Sequence, residues 1–258
     1  GVPMATGGAD TASVIHGLGV DAGQGYLGLG SGTQIVSVCA QPVIDPTLRT
    51  HTFDAVGAPG DGWYRLAAVQ SGGLILDRAL AWLAATEAEV TAAMEQPTRP
   101  DDPLFLPFLA GERSPYLDPS LRGAWSHLSL STDRAALIRS VFEGMACAVA
   151  VAAEALTDVT PRQPIPVLGG GSRDRAYLQL IASLTDWTLT PVSQGDGAVV
   201  GAARLAADML GEAMPGLLAR HGEHAQDSKN DVVHPEKSTL LADRFLRWQD
   251  HVNETLGS

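Results

Sequence analysis

The hydrophobic residues between positions 26 and 38 fall into two short runs with a glycine-rich break between them. The first run ends at Leu29, and the second begins after Thr33 and continues to Val38. Two strands joined by a tight turn have this pattern. We therefore predict a β-hairpin over residues 26–38.

The turn of this hairpin carries groups that can hold an anion. Gly30 and Gly32 have no Cβ, so the backbone N–H groups beside them are open to a ligand, and Ser31 and Thr33 add two hydroxyls. Donors of both kinds would converge on one group such as a phosphate. An ordinary glycine-rich hairpin turn has the same composition, so the turn alone leaves both interpretations open.

Elsewhere, hydrophobic periodicity predicts helices that alternate with strands. The predicted helices cover 11–18, a segment that opens at Ser71, 132–158, 174–185, 197–207 and an amphipathic segment around 240–248. The predicted strands or strand ends cover 2–6, 49–53, 63–69, 104–109, 164–168 and 189–192, with turn-rich residues at 57–62. Ser131 or Thr132 is the expected N-cap of the longest helix. This alternation predicts an α/β fold.

Three further glycine clusters lie where a helix begins. Gly7-Gly-Ala precedes Asp10, Gly72 and Gly73 follow Ser71, and 169–171 is a run of three glycines between a strand and a helix. Such turns let a ligand approach the positive end of a helix, although tight helix packing explains the Gly72–Gly73 pair equally well. Asp10 is either a helix N-cap or a reactive carboxylate.

Composition restricts what these turns can bind. The chain has 258 residues and a net charge of −12, with 18% charged and 45% hydrophobic residues, which is typical of a globular protein. This acidity argues against nucleic acid and anionic membranes as partners. The only lysines are Lys229 and Lys237, both in the polar C-terminal stretch. A Walker-type phosphate loop, which needs a lysine inside its glycine turn, is therefore excluded.

The two cysteines, two histidines near the C-terminus and one acid–base pair are given no catalytic role. Cys39 and Cys147 lie in apolar segments and are expected to be reduced thiols, which indicates a cytoplasmic setting. No basic leader and no apolar segment of membrane-spanning length is apparent. His221 and His224 are interpreted as solvated, and no metal ligands are assigned. Glu112 and Arg113 are expected to form a local salt bridge.

The order and spacing of these motifs resemble the C-terminal half of the FGGY carbohydrate kinases, over residues 1–210. The motifs are Gly7-Gly-Ala-Asp10, Leu29-Gly-Ser-Gly-Thr33, Ser71-Gly-Gly73 before Trp82, Ala110-Gly-Glu-Arg-Ser-Pro115 with Asp118-Pro119, Glu143-Gly144 and Gly169-Gly-Gly171. The resemblance implies an actin-like ATPase fold of the ribonuclease H type, with a mixed sheet flanked by helices. It also implies ATP-dependent phosphorylation of a sugar or polyol, for instance a pentulose such as xylulose, at a primary hydroxyl.

The same resemblance implies roles for individual residues. Asp10 would be the general base toward the sugar hydroxyl, and Asp174 would lie near the adenine. The residues expected at the phosphates are Gly30, Ser31, Gly32 and Thr33, and those expected to border the nucleotide are Gly72, Gly73, Gly169, Gly170 and Gly171. Mg²⁺ would bridge the phosphates, but no pair of acids in this chain is recognisable as its ligand.

The chain departs from the family pattern at one residue, and one region of the family has no match in it. Ser31 stands where families of this type usually have threonine, which keeps the hydroxyl. Nothing matches the N-terminal sugar-binding lobe, with its phosphate motif and its metal-associated acid. We therefore expect residues 1–210 to be a nucleotide-binding C-terminal lobe and residues 211–258 to be a polar linker with a helix that packs on the lobe. The expected partners are sugar, ATP and the missing N-terminal lobe.

Two further expectations follow from the missing lobe. The isolated chain should be inactive, and an apolar or glycine-lined face along Asp10, Gly30 and Gly72 should make it sticky or homodimeric. A non-catalytic nucleotide-binding or structural lobe is the main alternative. A dinucleotide-dependent oxidoreductase is disfavoured, because its glycine fingerprint requires a helix where residues 35–38 form a strand.

Overall fold

The computed structural model describes residues 3–55, 62–156, 158, 160–192, 197–216, 218 and 232–256. Residues 57–61 of the predicted turn, His221, His224 and Lys229 lie outside this part of the chain. The described helices are α1 Asp10–Leu18, α2 Gly73–Trp82, α3 Glu87–Met94, α4 Arg134–Glu154, α5 Arg175–Thr185, α6 Gly197–Met209 and α7 Thr239–Leu256. The strands are β1 Gly25–Leu29, β2 Thr33–Cys39, β3 His51–Asp54, β4 Trp63–Val69, β5 Leu104–Leu106, β6 Ala124–Ser126, β7 Ile165–Leu168 and β8 Leu189–Pro191.

Six of these strands form one mixed sheet in the order β3-β4-β2-β1-β7-β8. Neighbouring strands from β3 to β1 are antiparallel, whereas β1, β7 and β8 run parallel. In the register, Thr33 is paired with both Leu29 and Val69, and Gly28 is paired with Leu168. The carboxyl ends of β1, β4 and β7 therefore lie at the same edge of the sheet. The predicted mixed α/β sheet is confirmed.

Side chains alternate between two buried faces of the sheet, as the period of a strand requires. One face packs in the larger core with α4 and α5 and includes Leu27, Leu29 and Ile35. The other face packs against α1 and includes Tyr26 and Val36. Helices therefore cover both faces of the sheet.

Helix α4 is the central element of the larger core. By length and hydropathy it could cross a membrane, but 89% of its apolar window is buried inside the protein. Its apolar residues are thus accounted for by packing on the sheet. Its N-cap is Asp133, whose carboxylate accepts from the Ala136 N–H at 2.7 Å, and not the predicted Ser131 or Thr132.

Glycines bring α1 and α6 into close contact on the other face. A Cβ at Gly201 would overlap the carbonyl of Ser13, and a Cβ at Gly17 would overlap that of Gly197. No other residue type would allow the two helix backbones to approach this closely. This contact positions α1 and, at its first turn, Asp10.

The C-terminal helix α7 packs on the same body through its buried face. The Arg244 guanidinium is 2% exposed, lies 2.6 Å from the Glu143 carboxylate and donates to the carbonyls of Asp102 and Pro103. The Trp248 indole N–H donates to the Phe105 carbonyl at 2.8 Å. These contacts join α7 to α4, to the loop before β5 and to β5 itself.

Several sequence predictions differ from the structure. Helix α3 and strand β6 were not predicted, and the strand predicted over 104–109 ends at Leu106. No strand is present in the described residues 3–9, so the predicted strand end over 2–6 is wrong there. Helix α3 begins with a capping box formed by Thr86 and Glu89, a local signal that the sequence does carry.

The Arg244–Glu143 pair yields a stability prediction. Replacing Arg244 by alanine leaves the Glu143 carboxylate buried without its cation, so Arg244→Ala should lower the free energy of unfolding by about 3 kcal/mol. Arg247→Ala is the matched control, since Arg247 is exposed on the same helix and donates to a carbonyl of the same loop. Urea unfolding of both variants measures the difference, and equal losses would contradict the prediction.

Candidate nucleotide-binding cleft

Three glycine turns meet at the edge where β1, β4 and β7 end. The Gly73 N–H donates to the Gly30 carbonyl at 2.8 Å, and the Leu74 N–H donates to the Ser31 carbonyl at 3.2 Å. A Cβ at Gly72 would overlap the backbone of Gly32. Gly72 and Gly73 are therefore required for close packing of the 71–73 turn on the hairpin, the second of the two interpretations given for this pair.

The hairpin turn leaves donors free on its open side. The Gly30 N–H is used within the turn, where it donates to the Gly32 carbonyl at 3.1 Å. Among the described residues, the N–H groups of Ser31 and Gly32 have no hydrogen-bond partner, and neither has the exposed Ser31 hydroxyl. Thr33 is only 2% exposed, and its hydroxyl donates to the Ser71 carbonyl at 3.4 Å. Only one of the two predicted hydroxyls therefore remains available at the turn.

A cleft of about 910 Å³ opens in front of this turn. It is lined by both the hairpin and Gly169–Gly170, with Arg113 and Arg173 among its side chains. No aspartate or glutamate belongs to the described lining, although the chain as a whole carries a charge of −12. Two exposed guanidinium groups without an opposing carboxylate favour an anionic ligand.

A second cavity of about 530 Å³ adjoins this cleft. The two spaces are direct neighbours, since six residues line both: Leu29, Gly30, Ser31, Thr33, Leu74 and Gly170. The second cavity has several larger apolar and aromatic side chains in its wall; its further lining includes Gly72, Gly73, Leu76, Asp77, Phe142, Met145, Gly171, Asp174 and Tyr177. The two spaces together suit a ligand with an anionic part and a flat, partly apolar part.

The three glycines after β7 differ in whether their surroundings leave room for a side chain. Gly169 has φ +93° and a Cβ there would overlap the Leu29 carbonyl, while a Cβ at Gly171 would lie 2.9 Å from the Leu29 Cβ. A Cβ at Gly170 would meet nothing within 4 Å. Gly170 is thus the glycine of this turn whose replacement would project into the cleft without disturbing the fold.

Asp174 and Asp77 are the acids of the second cavity. Asp174 is the N-cap of α5, where its carboxylate accepts from the Tyr177 N–H at 3.0 Å. Asp77 was not singled out from the sequence. It lies one helical turn after Gly73, so helical spacing from the glycine pair would have found it.

Asp10 is the first residue of α1 and is exposed. The N-cap position belongs to Ala9, and the Asp10 carboxylate accepts from the N–H of the next residue, Thr11, at 2.7 Å. The Thr11 hydroxyl lies 3.4 Å from the Gln34 amide oxygen, and Gln34 lines the cleft. Asp10 itself is not in the cleft lining, so the structure brings the glycine turns together and leaves Asp10 at the margin.

The expected salt bridge between Glu112 and Arg113 does not form. The Glu112 carboxylate is 4% exposed and accepts from the N–H groups of Gln70, Ser71 and Arg113 and from the Ser71 hydroxyl. Burial raises its pKa above the ordinary value, while these donors act in the opposite direction. The Arg113 side chain instead lines the cleft.

The cysteines and possible metal ligands add no further chemistry to the cleft. Cys39 and Cys147 are free thiols, and burial raises the pKa of each. In the described ranges, no group of three or more histidine, cysteine, aspartate or glutamate residues could hold a metal ion.

Fold and cleft together define a class of protein: an α/β domain that offers backbone donors and guanidinium groups to an anion at the edge of a mixed sheet. Comparison of the chain with known protein families identifies this class further. Residues 26–210 match the model of the C-terminal domain of the FGGY family of carbohydrate kinases. The chain belongs to this family and has the actin-like ATPase fold.

Individual relatives agree with this assignment. The chain is 31% identical to a xylulose kinase of Escherichia coli K12 over 80% of its own length and 43% of the relative's. It is 28% identical to a xylulose kinase of Streptomyces rubiginosus, over 93% of the chain and 48% of the relative. A solved structure described as a xyloylose kinase from Brucella ovis superposes with a TM-score of 0.82 at 25% identity, covering 96% of this chain and 51% of that one. The chain thus spans about half the length of the relatives it matches.

The packing of the glycine turns can be tested without any ligand. Gly72→Ala should lower the melting temperature by several degrees, because the added methyl group overlaps the hairpin backbone. Gly170→Ala is the matched control and should melt within about 2 °C of the wild type, since its methyl group enters open space. Differential scanning calorimetry measures both; a Gly72→Ala variant as stable as the control would contradict the observed contact.

Proposed function

We propose that this chain is the nucleotide-binding C-terminal lobe of a kinase that phosphorylates a sugar at a primary hydroxyl, with ATP as the phosphate donor. The observation that carries the proposal is the convergence of free N–H groups at Ser31 and Gly32 with the guanidinium groups of Arg113 and Arg173 in a described lining without acids. Relatives named xylulose kinase support a pentulose such as xylulose as the substrate.

In this proposal the terminal phosphates of ATP lie at Gly30–Thr33 and the adenosine occupies the second cavity. Gly170 lines both spaces and is the point at which the nucleotide passes from one to the other. Gly72, Gly73, Gly169 and Gly171 border it through backbone packing, and Asp174 lies near the adenine. Mg²⁺ accompanies the phosphates as their counter-ion.

Phosphoryl transfer asks a protein mainly for positioning and charge stabilisation. The backbone donors of the hairpin would hold the transferred group as negative charge moves onto its oxygens. Asp10 would take the proton from the attacking sugar hydroxyl. The remaining sugar contacts belong to an N-terminal lobe that closes over this edge, and the exposed apolar side chain of Leu74 in the cleft suits such a closing surface.

The finer organisation belongs to the same proposal. Residues 1–210 form the nucleotide-binding lobe, and 211–258 form a linker and the helix α7 that packs on it. The setting is cytoplasmic, and self-association of the isolated chain remains a prediction. The main competing function is a lobe that binds nucleotide without taking part in catalysis, which the second of the two experiments below separates from the proposal.

The first experiment tests nucleotide binding. Isothermal titration should show that the wild-type chain binds ATP and that Gly170→Leu loses this binding, because the larger side chain fills the junction of the two spaces. Gly170→Ala should bind ATP nearly as well, and all three proteins should melt at similar temperatures, since no protein atom lies near a Cβ at this position. An unchanged dissociation constant for Gly170→Leu would move the site elsewhere.

The second experiment tests Asp10 in a protein that carries both lobes. Asparagine keeps the shape of aspartate and its hydrogen bond to Thr11 but accepts no proton at neutral pH. Asp10→Asn should therefore retain ATP binding and lose turnover by about 10²-fold or more. Asp21→Asn, at an exposed acid beyond α1, is the control and should retain full turnover. Near-normal turnover of Asp10→Asn with both substrates saturating would remove Asp10 from the mechanism.

A further inference from the structure

Glu112 is a buried carboxylate without a cation. Its four hydrogen-bond donors are three backbone N–H groups and one hydroxyl, and among the described residues no salt bridge to it is present. Two of these donors belong to Ser71, whose hydroxyl lies 2.6 Å from the carboxylate. A buried charge held in this way fixes the backbone that surrounds it, because any displacement leaves the carboxylate without donors.

The segment around Glu112 extends the sheet edge beyond β3. Strand β3 pairs with β4 only as far as Leu66. Past that point, the Ser114 N–H donates to the Ala68 carbonyl at 2.9 Å, and the Ser114 hydroxyl accepts from the Ala68 N–H at 3.0 Å. Glu112 continues these contacts to Gln70 and Ser71, so the end of β4 is held on both sides.

The Ser71–Gly73 turn, which Glu112 holds in place, supports the hairpin of residues 26–38. Ser71 is followed by Gly72 and Gly73, which both pack on the hairpin backbone, and the Gly73 N–H donates to the Gly30 carbonyl. The Ser71 carbonyl also accepts from the Thr33 hydroxyl on the second hairpin strand. A continuous path of hydrogen bonds and backbone contacts therefore runs from the Glu112 carboxylate to both sides of the Gly30–Thr33 turn.

From this path we infer that Glu112 is a positioning residue: it holds the Ser71–Gly73 turn against the hairpin and so sets the directions of the free N–H groups of Ser31 and Gly32 toward a phosphate. Glu112 lines neither cavity, so the proposed role is indirect and requires no contact between Glu112 and the ligand. The inference rests on the proposed function only for the identity of the ligand. The mechanical part, support of the hairpin, concerns the protein alone.

The test is Glu112→Gln, which keeps the size of the side chain. The amide group presents N–H hydrogens where one carboxylate oxygen had accepted two donors, so the turn has to shift. We expect faster amide hydrogen exchange at Gly73 and Leu74, whose N–H groups bind the hairpin carbonyls. We also expect the dissociation constant for ATP, measured by titration calorimetry, to rise about tenfold.

Asp45→Asn is the matched control. Asp45 is also buried and also accepts four hydrogen bonds, from the N–H and hydroxyl groups of Thr47 and Thr50, but it lies in a loop that lines neither cavity. This variant should lose stability while keeping the wild-type ATP affinity and the wild-type exchange at Gly73 and Leu74. The comparison separates a positioning effect from a general loss of stability.

The outcomes are distinct. Wild-type exchange and affinity in Glu112→Gln would overturn the inference, as would equal losses of affinity in both variants. A wild-type chain that binds no ATP would overturn the proposed function. If Glu112→Gln nevertheless speeds exchange at Gly73 and Leu74 in that case, support of the hairpin by Glu112 stands.

Discussion

The cleft depends on one contact, the approach of two backbone turns to each other at the edge of the sheet. Gly72 and Gly73 lie against Gly30–Gly32 at distances that exclude a Cβ, and hydrogen bonds to the Gly30 and Ser31 carbonyls hold the turns together. The Gly73 and Leu74 N–H groups occupy these carbonyls, whereas the N–H groups of Ser31 and Gly32, which line the cleft, have no partner among the described residues. The contact therefore holds the two turns together, and the free N–H groups give the hairpin a partly positive surface.

Charge placement follows from the same arrangement. The chain is acidic, yet its described acids lie outside the lining of the larger cleft, where Arg113 and Arg173 are the charged side chains. Glu112, next in sequence to Arg113, is buried behind the turn and directs its carboxylate to backbone donors. The neighbouring residues thus contribute separately: Glu112 supports the backbone, and Arg113 remains available to an anion.

Elements with strong local patterns were predictable from the sequence. The hairpin, β4 and the long helix α4 carry clear periodicity, and glycine turns between strands and helices marked the cleft. Helix α3 was missed because only one of its residues, Ala93, is buried, so it has no apolar stripe to detect. The role of Glu112 was missed for a different reason. Three of its four donors belong to Gln70 and Ser71, more than 40 residues away in sequence, and no local pattern reports a contact of that range.

Asp10 shows what this edge still requires for the proposed chemistry. Its carboxylate is exposed at the margin of the cleft, where water competes with any sugar hydroxyl for its oxygens. A base of this kind becomes effective when a second surface excludes water and places the hydroxyl in line with the phosphate held by the hairpin. Under the proposed function, phosphate positioning is thus a property of the turns in this chain. In the same proposal, proton abstraction would depend on closure by the other lobe, so this domain alone would hold the nucleotide without completing the transfer.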